Sequence, residues 1–172
     1  MQDVVSPLWL PGGHIQTIWA ALCTPLGSQT QALQRERWQT PDGDFIDVDV
    51  QHARQPDRPM LVLFHGLEGS SQSHYARAFA HWAFMQDVHL YLPHFRGRSG
   101  EINRAPRAYH SGDYEEVDWI LRRCKTQHPA GGQGVVVAAG VSLGGNALMR
   151  WAGEAGESAS VWVQAVASIC SP

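Results

Sequence analysis

Gly140-Val141-Ser142-Leu143-Gly144 has the pattern G-x-S-x-G and lies between an apolar run and a helix-forming segment. The apolar run, Val135 to Ala139, predicts a buried strand, so the pattern lies where a strand turns sharply into a helix. Such a turn strains the backbone at the serine, and glycine at 140 and 144 avoids collisions with neighbouring chain. The Ser142 hydroxyl would then lie exposed beside free N–H groups at the helix N-terminus, a geometry that suits acyl transfer.

A five-residue pattern of this kind occurs by chance in many proteins. The predicted order of strand, turn and helix is the order that a nucleophilic serine of this type requires. The alternative is a Gly/Ser turn that only packs a helix against a sheet, and it stays open on these residues alone.

A second glycine-rich turn follows another apolar run. Met60 to Phe64 is continuously apolar, as expected for a strand buried on both faces of a parallel sheet, and it ends in His65-Gly66-Leu67-Glu68-Gly69. Two glycines this close together allow the backbone to fold back and present N–H groups to a cleft, as an oxyanion hole requires. A plain turn is the alternative.

The rest of the chain alternates strands with helices, which predicts an α/β fold with a mostly parallel sheet. An antiparallel hairpin precedes it: a strand over Glu36 to Thr40, a turn at Pro41-Asp42-Gly43, and a strand over Phe45 to Gln51. Strict alternation in the second strand predicts one apolar face and one solvent-exposed face, the latter carrying Asp47, Asp49 and Gln51.

Two helices have clear apolar faces. The first follows Ser73, and its predicted buried stripe is Tyr75, Ala78, Phe79, Trp82 and Ala83. The second begins at Asp113 with acidic residues in its first turn and basic residues in its last, and its predicted stripe is Val117, Ile120, Leu121 and Cys124.

A final apolar strand is predicted over Val161 to Ile169. The pattern divides the chain into an N-terminal arm, residues 1–35, packed on the domain by aromatic residues such as Trp9 and Trp19, and one α/β domain, residues 36–172. Arg96 and Arg98 fall in a loop after the fourth strand, where they are either solvated or oriented towards an anionic group of a substrate.

Composition excludes several classes of function. The 172 residues are 44% hydrophobic and 17% charged with a net charge of −3, and no basic run suggests nucleic acid. No apolar stretch approaches the roughly 20 residues of a membrane span, and the N-terminus lacks a secretory signal, so a cytoplasmic protein is expected. Nine scattered histidines predict no metal site, and no nucleotide-binding glycine motif is present, so no cofactor is expected.

Three cysteines are too widely spaced to suggest a disulfide framework. Cys23, Cys124 and Cys170 all fall in apolar segments. Free, buried thiols are therefore expected at these positions.

Five short blocks, in this order, resemble the α/β-hydrolase superfamily and within it the YheT-like group, also called the AB hydrolase 4 family. They are His14-Ile15-Gln16-Thr17, His65-Gly66-Leu67-Glu68-Gly69, Pro93-His94-Phe95-Arg96-Gly97, Tyr109-His110-Ser111-Gly112 and Gly140-Val141-Ser142-Leu143-Gly144-Gly145-Asn146. The resemblance implies Ser142 as nucleophile and the backbone N–H groups of Leu67 and Leu143 as the oxyanion hole. It also implies hydrolysis of small-molecule carboxylic esters, with short-chain or glycerol esters as substrates.

The resemblance breaks down after the serine. A serine needs a base, and the base needs an acid to orient it, and in α/β-hydrolases both follow the nucleophile. From Leu143 to Pro172 the chain has no histidine and no aspartate. The expectation is therefore the N-terminal portion of such a hydrolase, truncated after about six strands and inactive alone, or else a short protein that has lost catalysis and acts as a binding module.

Two further hypotheses follow from this truncation. His65 and His94 lie at the correct end of the predicted sheet to substitute for the missing base, although the family places its base elsewhere. The last strand, with Val161 to Ala167 at its start, would form an apolar edge of the sheet, and such an edge favours self-association.

Overall fold

The computed structural model describes residues 8, 9, 11–13, 15, 16, 19, 32–67, 69–105 and 113–172. The strands in these residues are β1 (Gln34–Gln39), β2 (Phe45–Gln51), β3 (Met60–Phe64), β4 (His89–Pro93), β5 (Val136–Val141) and β6 (Ala165–Ile169). The helices with defined bounds are α1 (His74–Gln86), α2 (Tyr114–Thr126), α3 (Leu143–Ala155) and the single turn α4 (Ala159–Trp162).

The six strands form one sheet in the order β1-β2-β4-β3-β5-β6. β1 pairs with β2, and β2 with β4, in antiparallel fashion, whereas β4, β3, β5 and β6 are parallel neighbours. The predicted hairpin followed by a mostly parallel sheet is therefore confirmed. Because β3, β4 and β5 are parallel, their carboxyl ends meet at one edge, where the turns after Phe64, Pro93 and Val141 converge.

Two apolar clusters cover the two faces of the sheet. The larger includes Trp38, Phe64 and Tyr91 from the strands and is closed by α2 and α3. The buried residues of α2 include Val117, Ile120, Leu121 and Cys124, which confirms the predicted stripe. The Asp113 side chain accepts a hydrogen bond from the Glu116 N–H, so the predicted N-terminus of α2 is confirmed as well.

The predicted solvent-exposed face of β2 is wrong. Asp47 is only 2% exposed and Asp49 only 4%, and both lie opposite arginines of β1 in the antiparallel register. Arg37 contacts Asp47 with two hydrogen bonds of 2.7 and 2.9 Å, and Arg35 contacts Asp49 with two of the same lengths. Alternation located the faces of β2 correctly, but these cross-strand ion pairs allow carboxylates to be buried where alternation predicts exposure.

The predicted buried stripe of helix α1 is right only in part: Ala83 is buried and Tyr75 and Phe79 pack against the smaller apolar cluster, but Ala78 and Trp82 are exposed. The buried residues of this helix are Ala76, Ala80 and Ala83, while Trp82 is 49% exposed and Phe79 half-buried. Small side chains let the helix approach the sheet closely, so this narrow alanine stripe is buried. The large apolar residues instead border an open groove beside β5 and β6.

The last strand is shorter than predicted. Val161 and Trp162 belong to the turn α4, and β6 begins only at Ala165. The Val163 N–H donates to the Ala159 carbonyl, which closes a helical turn where the apolar run predicted a strand. A short apolar run has no period that separates these two structures.

Arg96 is buried rather than solvated or directed towards a ligand. Only 7% of it is exposed, and its guanidinium contacts Asp42 at 2.8 Å, Asp44 at 3.1 Å and the carboxylate of Glu116. The network ties the loop after β4 to the turn after β1 and to α2. Both earlier interpretations of Arg96 are therefore wrong.

The arm and the cysteines are described only in part. Trp9 and Trp19 pack edge to face at 5.2 Å and are 65% and 46% exposed, so packing of the arm on the domain stays a prediction. Cys124 is a buried free thiol, as predicted, whereas Cys170 is free but exposed, which corrects that expectation. Cys23 lies outside the described residues.

Replacing Arg96 by alanine is expected to lower the free energy of unfolding by about 3–5 kcal/mol, because buried carboxylates lose their partner. Urea denaturation measures this change. The control is Arg150→Ala, which breaks a surface pair with Glu154 at 3.4 Å and is expected to cost about 1 kcal/mol or less. Equal losses in the two variants would contradict a structural role for the Arg96 network.

Candidate active site

Ser142 occupies the corner between β5 and α3. Its backbone has φ of 52° and ψ of −119°, a conformation that costs energy for any residue with a side chain. Two hydrogen bonds hold it there: the Ser142 N–H donates to the Ile169 carbonyl at 2.8 Å, and the Ser142 carbonyl accepts from the Asn146 N–H at 3.0 Å. The serine is thus fixed between the end of β6 and the first turn of α3, and its surface is partly exposed.

The glycines on either side of Ser142 leave no space for a side chain. A Cβ at Gly140 would lie 2.5 Å from the Gly144 carbonyl oxygen, and one at Gly144 would lie 2.5 Å from the His65 carbonyl oxygen and 2.6 Å from that of Phe64. Backbone therefore touches backbone where α3 begins, as the G-x-S-x-G pattern predicted. This contact joins the corner at Ser142 to the turn that follows β3.

The turn after β3 lies directly beside Ser142. A Cβ at Gly66 would be 3.2 Å from the Ser142 Cβ and 3.9 Å from its Oγ. The Gly69 N–H donates to the Gly66 carbonyl at 2.9 Å and closes the turn, and a Cβ at Gly69 would collide with the Tyr75 hydroxyl. The two glycine-rich stretches that the sequence singled out therefore meet in space.

The side chain of His65 is buried beneath this turn, with 2% of the residue exposed. Its Nδ1 lies 2.8 Å from the Gly66 carbonyl oxygen, and its Nε2 lies 3.3 Å from the Phe95 N–H. Desolvation by burial lowers the pKa of His65 to about 4, so the ring is neutral at pH 7.

His94 is buried at the end of β4 and contacts Asp49 of β2, with 2.7 Å between Nε2 and Oδ2. Burial alone would raise the pKa of Asp49, but hydrogen bonds from Arg35, His94 and Ser71 outweigh it and hold that pKa well below its usual range. Asp49 is therefore a carboxylate at neutral pH. The His65 and His94 rings lie 5.8 Å apart, so the two histidines form a row along the edge of the sheet.

Neither histidine has the contacts of a base for Ser142. Both ring nitrogens of His65 are already engaged by backbone groups, and its lowered pKa makes the neutral ring a weak proton acceptor. His94 directs Nε2 at Asp49, and its Nδ1 has no hydrogen-bond partner within the described part of the chain.

The two residues predicted to form the oxyanion hole directly follow the two residues that meet here, Ser142 and Gly66. Leu143 directly follows Ser142 and is the first residue of α3. Leu67 follows Gly66 in the neighbouring turn, and its side chain is 62% exposed. No hydrogen bond of the Leu67 N–H occurs within the described ranges.

Sequence reasoning missed two contributors to this site. The Tyr75 hydroxyl accepts a hydrogen bond from the Gly66 N–H at 3.0 Å, although Tyr75 was predicted only as part of a buried stripe. Asp49 was predicted to face solvent and instead holds His94. Neither role is indicated by the neighbouring sequence, because Tyr75 and Asp49 each contact a residue that is distant in the chain.

Among the residues that the structure describes, no cluster of three or more His, Cys, Asp or Glu side chains could hold a metal ion. Nor is any helix of these residues long and apolar enough to cross a membrane.

Sequence comparisons find relatives named for hydrolysis of esters and lipids. The chain is 43% identical over 115 residues to the YheT protein of Escherichia coli (strain K12), which is named as an esterase; the match covers 66% of this chain and 33% of YheT. It is 27% identical over 169 residues to the human phospholipase ABHD3, covering 94% of this chain and 40% of that protein. No profile of a known protein family matches the chain.

Solved structures with the same fold are α/β-hydrolases. The serine hydrolase XC6422 of Xanthomonas campestris superimposes with a TM-score of 0.60 at 20% identity, over 87% of this chain and 65% of that one. The esterase Est22 gives a TM-score of 0.61 at 19% identity, over 81% and 44%. The chain thus spans about a third to two fifths of these two sequence relatives and less than two thirds of these structures.

Replacing Gly144 by alanine is expected to lower the free energy of unfolding by about 1–3 kcal/mol, because the new Cβ would press on two carbonyl oxygens of β3 and its turn. Gly153 lies in the same helix with nothing within 4 Å of a Cβ, so Gly153→Ala is expected to stabilise by about 0.5–1 kcal/mol. Chemical denaturation of both variants tests the contact. A Gly144→Ala variant as stable as Gly153→Ala would rule it out.

Proposed function

We propose that this chain, a YheT-like member of the α/β-hydrolase superfamily, carries the nucleophile and the oxyanion hole of a serine hydrolase that cleaves carboxylic esters. The observation that carries the proposal is the position of Ser142, which is held at positive φ on the corner between a strand and a helix. Its Oγ lies 3.9 Å from the point where a Cβ on Gly66 would be. The esterase and phospholipase names of its relatives support the same class of reaction.

In this mechanism the Ser142 Oγ attacks the ester carbonyl carbon, and the carbonyl oxygen becomes negatively charged as the tetrahedral intermediate forms. The backbone N–H groups of Leu67 and Leu143 donate hydrogen bonds to that oxygen. Such donors stabilise the charge only where it develops, and each contributes about 10²–10³ in rate. The C–O bond to the alcohol then breaks, and the alcohol leaves with the proton that the Ser142 hydroxyl lost, transferred by the base of the triad. Water attacks the acyl-serine, which releases the carboxylic acid and returns a proton to the Ser142 Oγ. Short-chain and glycerol esters remain the proposed substrates.

The base and acid of the triad are proposed to be absent from this chain. Three observations support this: the lack of histidine and aspartate after Leu143, the engagement of both ring nitrogens of His65, and the fraction of the relatives that the chain spans. The chain alone would have the oxyanion donors but no base. Its rate of ester hydrolysis should then exceed the uncatalysed rate in water only by the roughly 10³–10⁴-fold that remains when triad residues are removed from a serine hydrolase. A cytoplasmic location stays a prediction.

A fluorophosphonate probe tests the nucleophile, because it phosphonylates a serine that is poised for attack. Peptide mass spectrometry is expected to find the adduct on Ser142, with slow labelling that Ser142→Ala abolishes. The control Ser160→Ala removes an exposed hydroxyl on α4 and should leave labelling unchanged. If Ser142 stays unlabelled, and a longer chain that includes the missing triad residues is also unlabelled, the alternative of a non-catalytic binding module replaces this proposal.

Self-association through β6 is proposed as well. β6 is the edge strand beyond β5, and its residues Ala165 to Ser168 are exposed on both faces. Unpaired N–H and carbonyl groups on an apolar edge favour pairing with a second copy of the chain.

Val166→Lys is expected to shift the chain towards monomer, since a charge on the edge opposes strand pairing. Sedimentation velocity over a concentration series measures the shift. The control Val161→Lys places the same charge on exposed α4, away from the edge. A wild-type chain that is monomeric at every concentration would contradict the proposal.

A further inference from the structure

We propose that His65 is a positioning residue that aims the Leu67 N–H at the oxyanion by fixing the plane of the Gly66–Leu67 peptide bond. This inference rests on the function proposed above, because it concerns one of the two proposed oxyanion donors. It assigns to His65 a role other than the substitute base that the sequence suggested.

The contacts of the ring define its tautomer. The Phe95 N–H can only donate, so the His65 Nε2 that faces it at 3.3 Å must present a lone pair. In a neutral ring the proton then resides on Nδ1, which donates to the Gly66 carbonyl at 2.8 Å. Burial keeps the ring neutral at pH 7, which is consistent with the lowered pKa of His65.

The hydrogen bond from His65 acts on the oxyanion donor through the geometry of a single peptide unit. The carbonyl of Gly66 and the N–H of Leu67 belong to the same planar group, and in a trans peptide they point in opposite directions. Directing the carbonyl at His65 therefore directs the Leu67 N–H away from that ring. Since Gly66 lies against Ser142, the peptide unit that carries this donor is next to the proposed nucleophile.

This peptide plane requires external support because glycine restrains its own dihedral angles weakly. Two hydrogen bonds supply it, because the Gly66 carbonyl accepts from His65 Nδ1 and from the Gly69 N–H. A further bond, from the Gly66 N–H to the Tyr75 hydroxyl, holds the preceding His65–Gly66 peptide unit. The hydrogen bond from Gly69 lies within the turn, so it does not hold the turn in place relative to the sheet. The bond from His65 is the one that connects the turn to the sheet.

The ring of His65 is itself held by the end of β4. It packs edge to face on Phe95, with 4.9 Å between ring centroids, and lies 5.8 Å from the His94 ring. His94 is in turn fixed by Asp49 of β2. The orientation of one N–H group beside Ser142 is thus set by a row of contacts that crosses three neighbouring strands.

Two substitutions separate the functions of the two ring nitrogens. His65→Asn places an amide N–H close to the position of Nδ1 and keeps the donor to the Gly66 carbonyl. His65→Gln places an amide oxygen close to the position of Nε2, so it keeps the acceptor for the Phe95 N–H and loses the donor. Both variants are neutral and polar. If His65 only filled space, His65→Asn would have no advantage over His65→Gln in either measurement below.

The ¹⁵N relaxation of the Leu67 amide tests the proposal without any reaction. We expect an order parameter of about 0.85 in the wild type and in His65→Asn, and below about 0.6 in His65→Gln. In the wild type, the ring nitrogen shifts of His65 at pH 7 should be those of the neutral Nδ1–H tautomer. A charged ring, the Nε2–H tautomer, or equal order parameters in both variants would overturn the proposal.

Fluorophosphonate labelling of Ser142 adds a chemical measurement. The labelling rate constant of His65→Gln is expected to fall about 10²-fold, the effect of losing one oxyanion donor, while that of His65→Asn stays within about threefold. Equal losses in the two variants would overturn the positioning role. Absence of labelling in this chain and also in a longer chain with the missing triad residues, together with the expected relaxation data, would contradict the proposed function and leave the orientation of the Leu67 amide supported.

Discussion

The structure depends on one backbone contact, in which the first turn of α3 touches the end of β3 with no side chain between them. Gly144 lies against the carbonyl groups of Phe64 and His65, and Gly140 lies against Gly144. Any side chain at these two positions would separate the turn after β3 from the turn after β5. The contact therefore decides whether Ser142 and Gly66 are neighbours at all, and the strain at Ser142 is tolerated because the packing around it is so close.

Buried charges provide the second constraint on the site. Asp47 and Asp49 pair with arginines across the β1–β2 ladder, and Arg96 contacts three carboxylates, two from the turn after β1 and one from α2. Buried ion pairs contribute little net stability compared with apolar packing, but breaking one is costly. In this chain the buried ion pairs hold the ends of β2 and β4 in place beside the turn that contains Leu67. The row from Asp49 through His94 to His65 is the part of this arrangement that reaches the proposed oxyanion hole.

The sequence predicted the features whose signals are local. The apolar runs of β3 and β5, the capped and charged ends of α2, and the two glycine-rich turns all carry their patterns within a few residues, and the structure has them where expected. In the structure Gly66 meets Ser142 because β3 and β5 are parallel neighbours, so the turns that follow them lie at the same edge of the sheet. The resemblance to known hydrolases added the roles of individual residues, which remain proposals.

The sequence predictions failed where contacts with a residue distant in the chain decide whether a side chain is buried or exposed. Alternation in β2 cannot reveal that arginines of β1 cover its carboxylates. Helical spacing in α1 cannot reveal that Ala76 and Ala80 are buried against the sheet while Trp82 is exposed. Tyr75 and Asp49 were missed as parts of the site for the same reason. The turn α4 was predicted as strand because a run as short as Val161-Trp162-Val163 fits either structure.

A crystal structure of the chain after phosphonylation tests the proposed oxyanion hole, since the phosphonyl oxygen occupies the position of the oxyanion. We expect phosphorus bonded to the Ser142 Oγ, with the phosphonyl oxygen about 2.7–3.1 Å from both the Leu67 and Leu143 amide nitrogens and the Gly66 carbonyl still directed at His65. An adduct whose oxygen points into solvent, or a Gly66–Leu67 peptide turned with its carbonyl towards the phosphorus, would contradict the proposal.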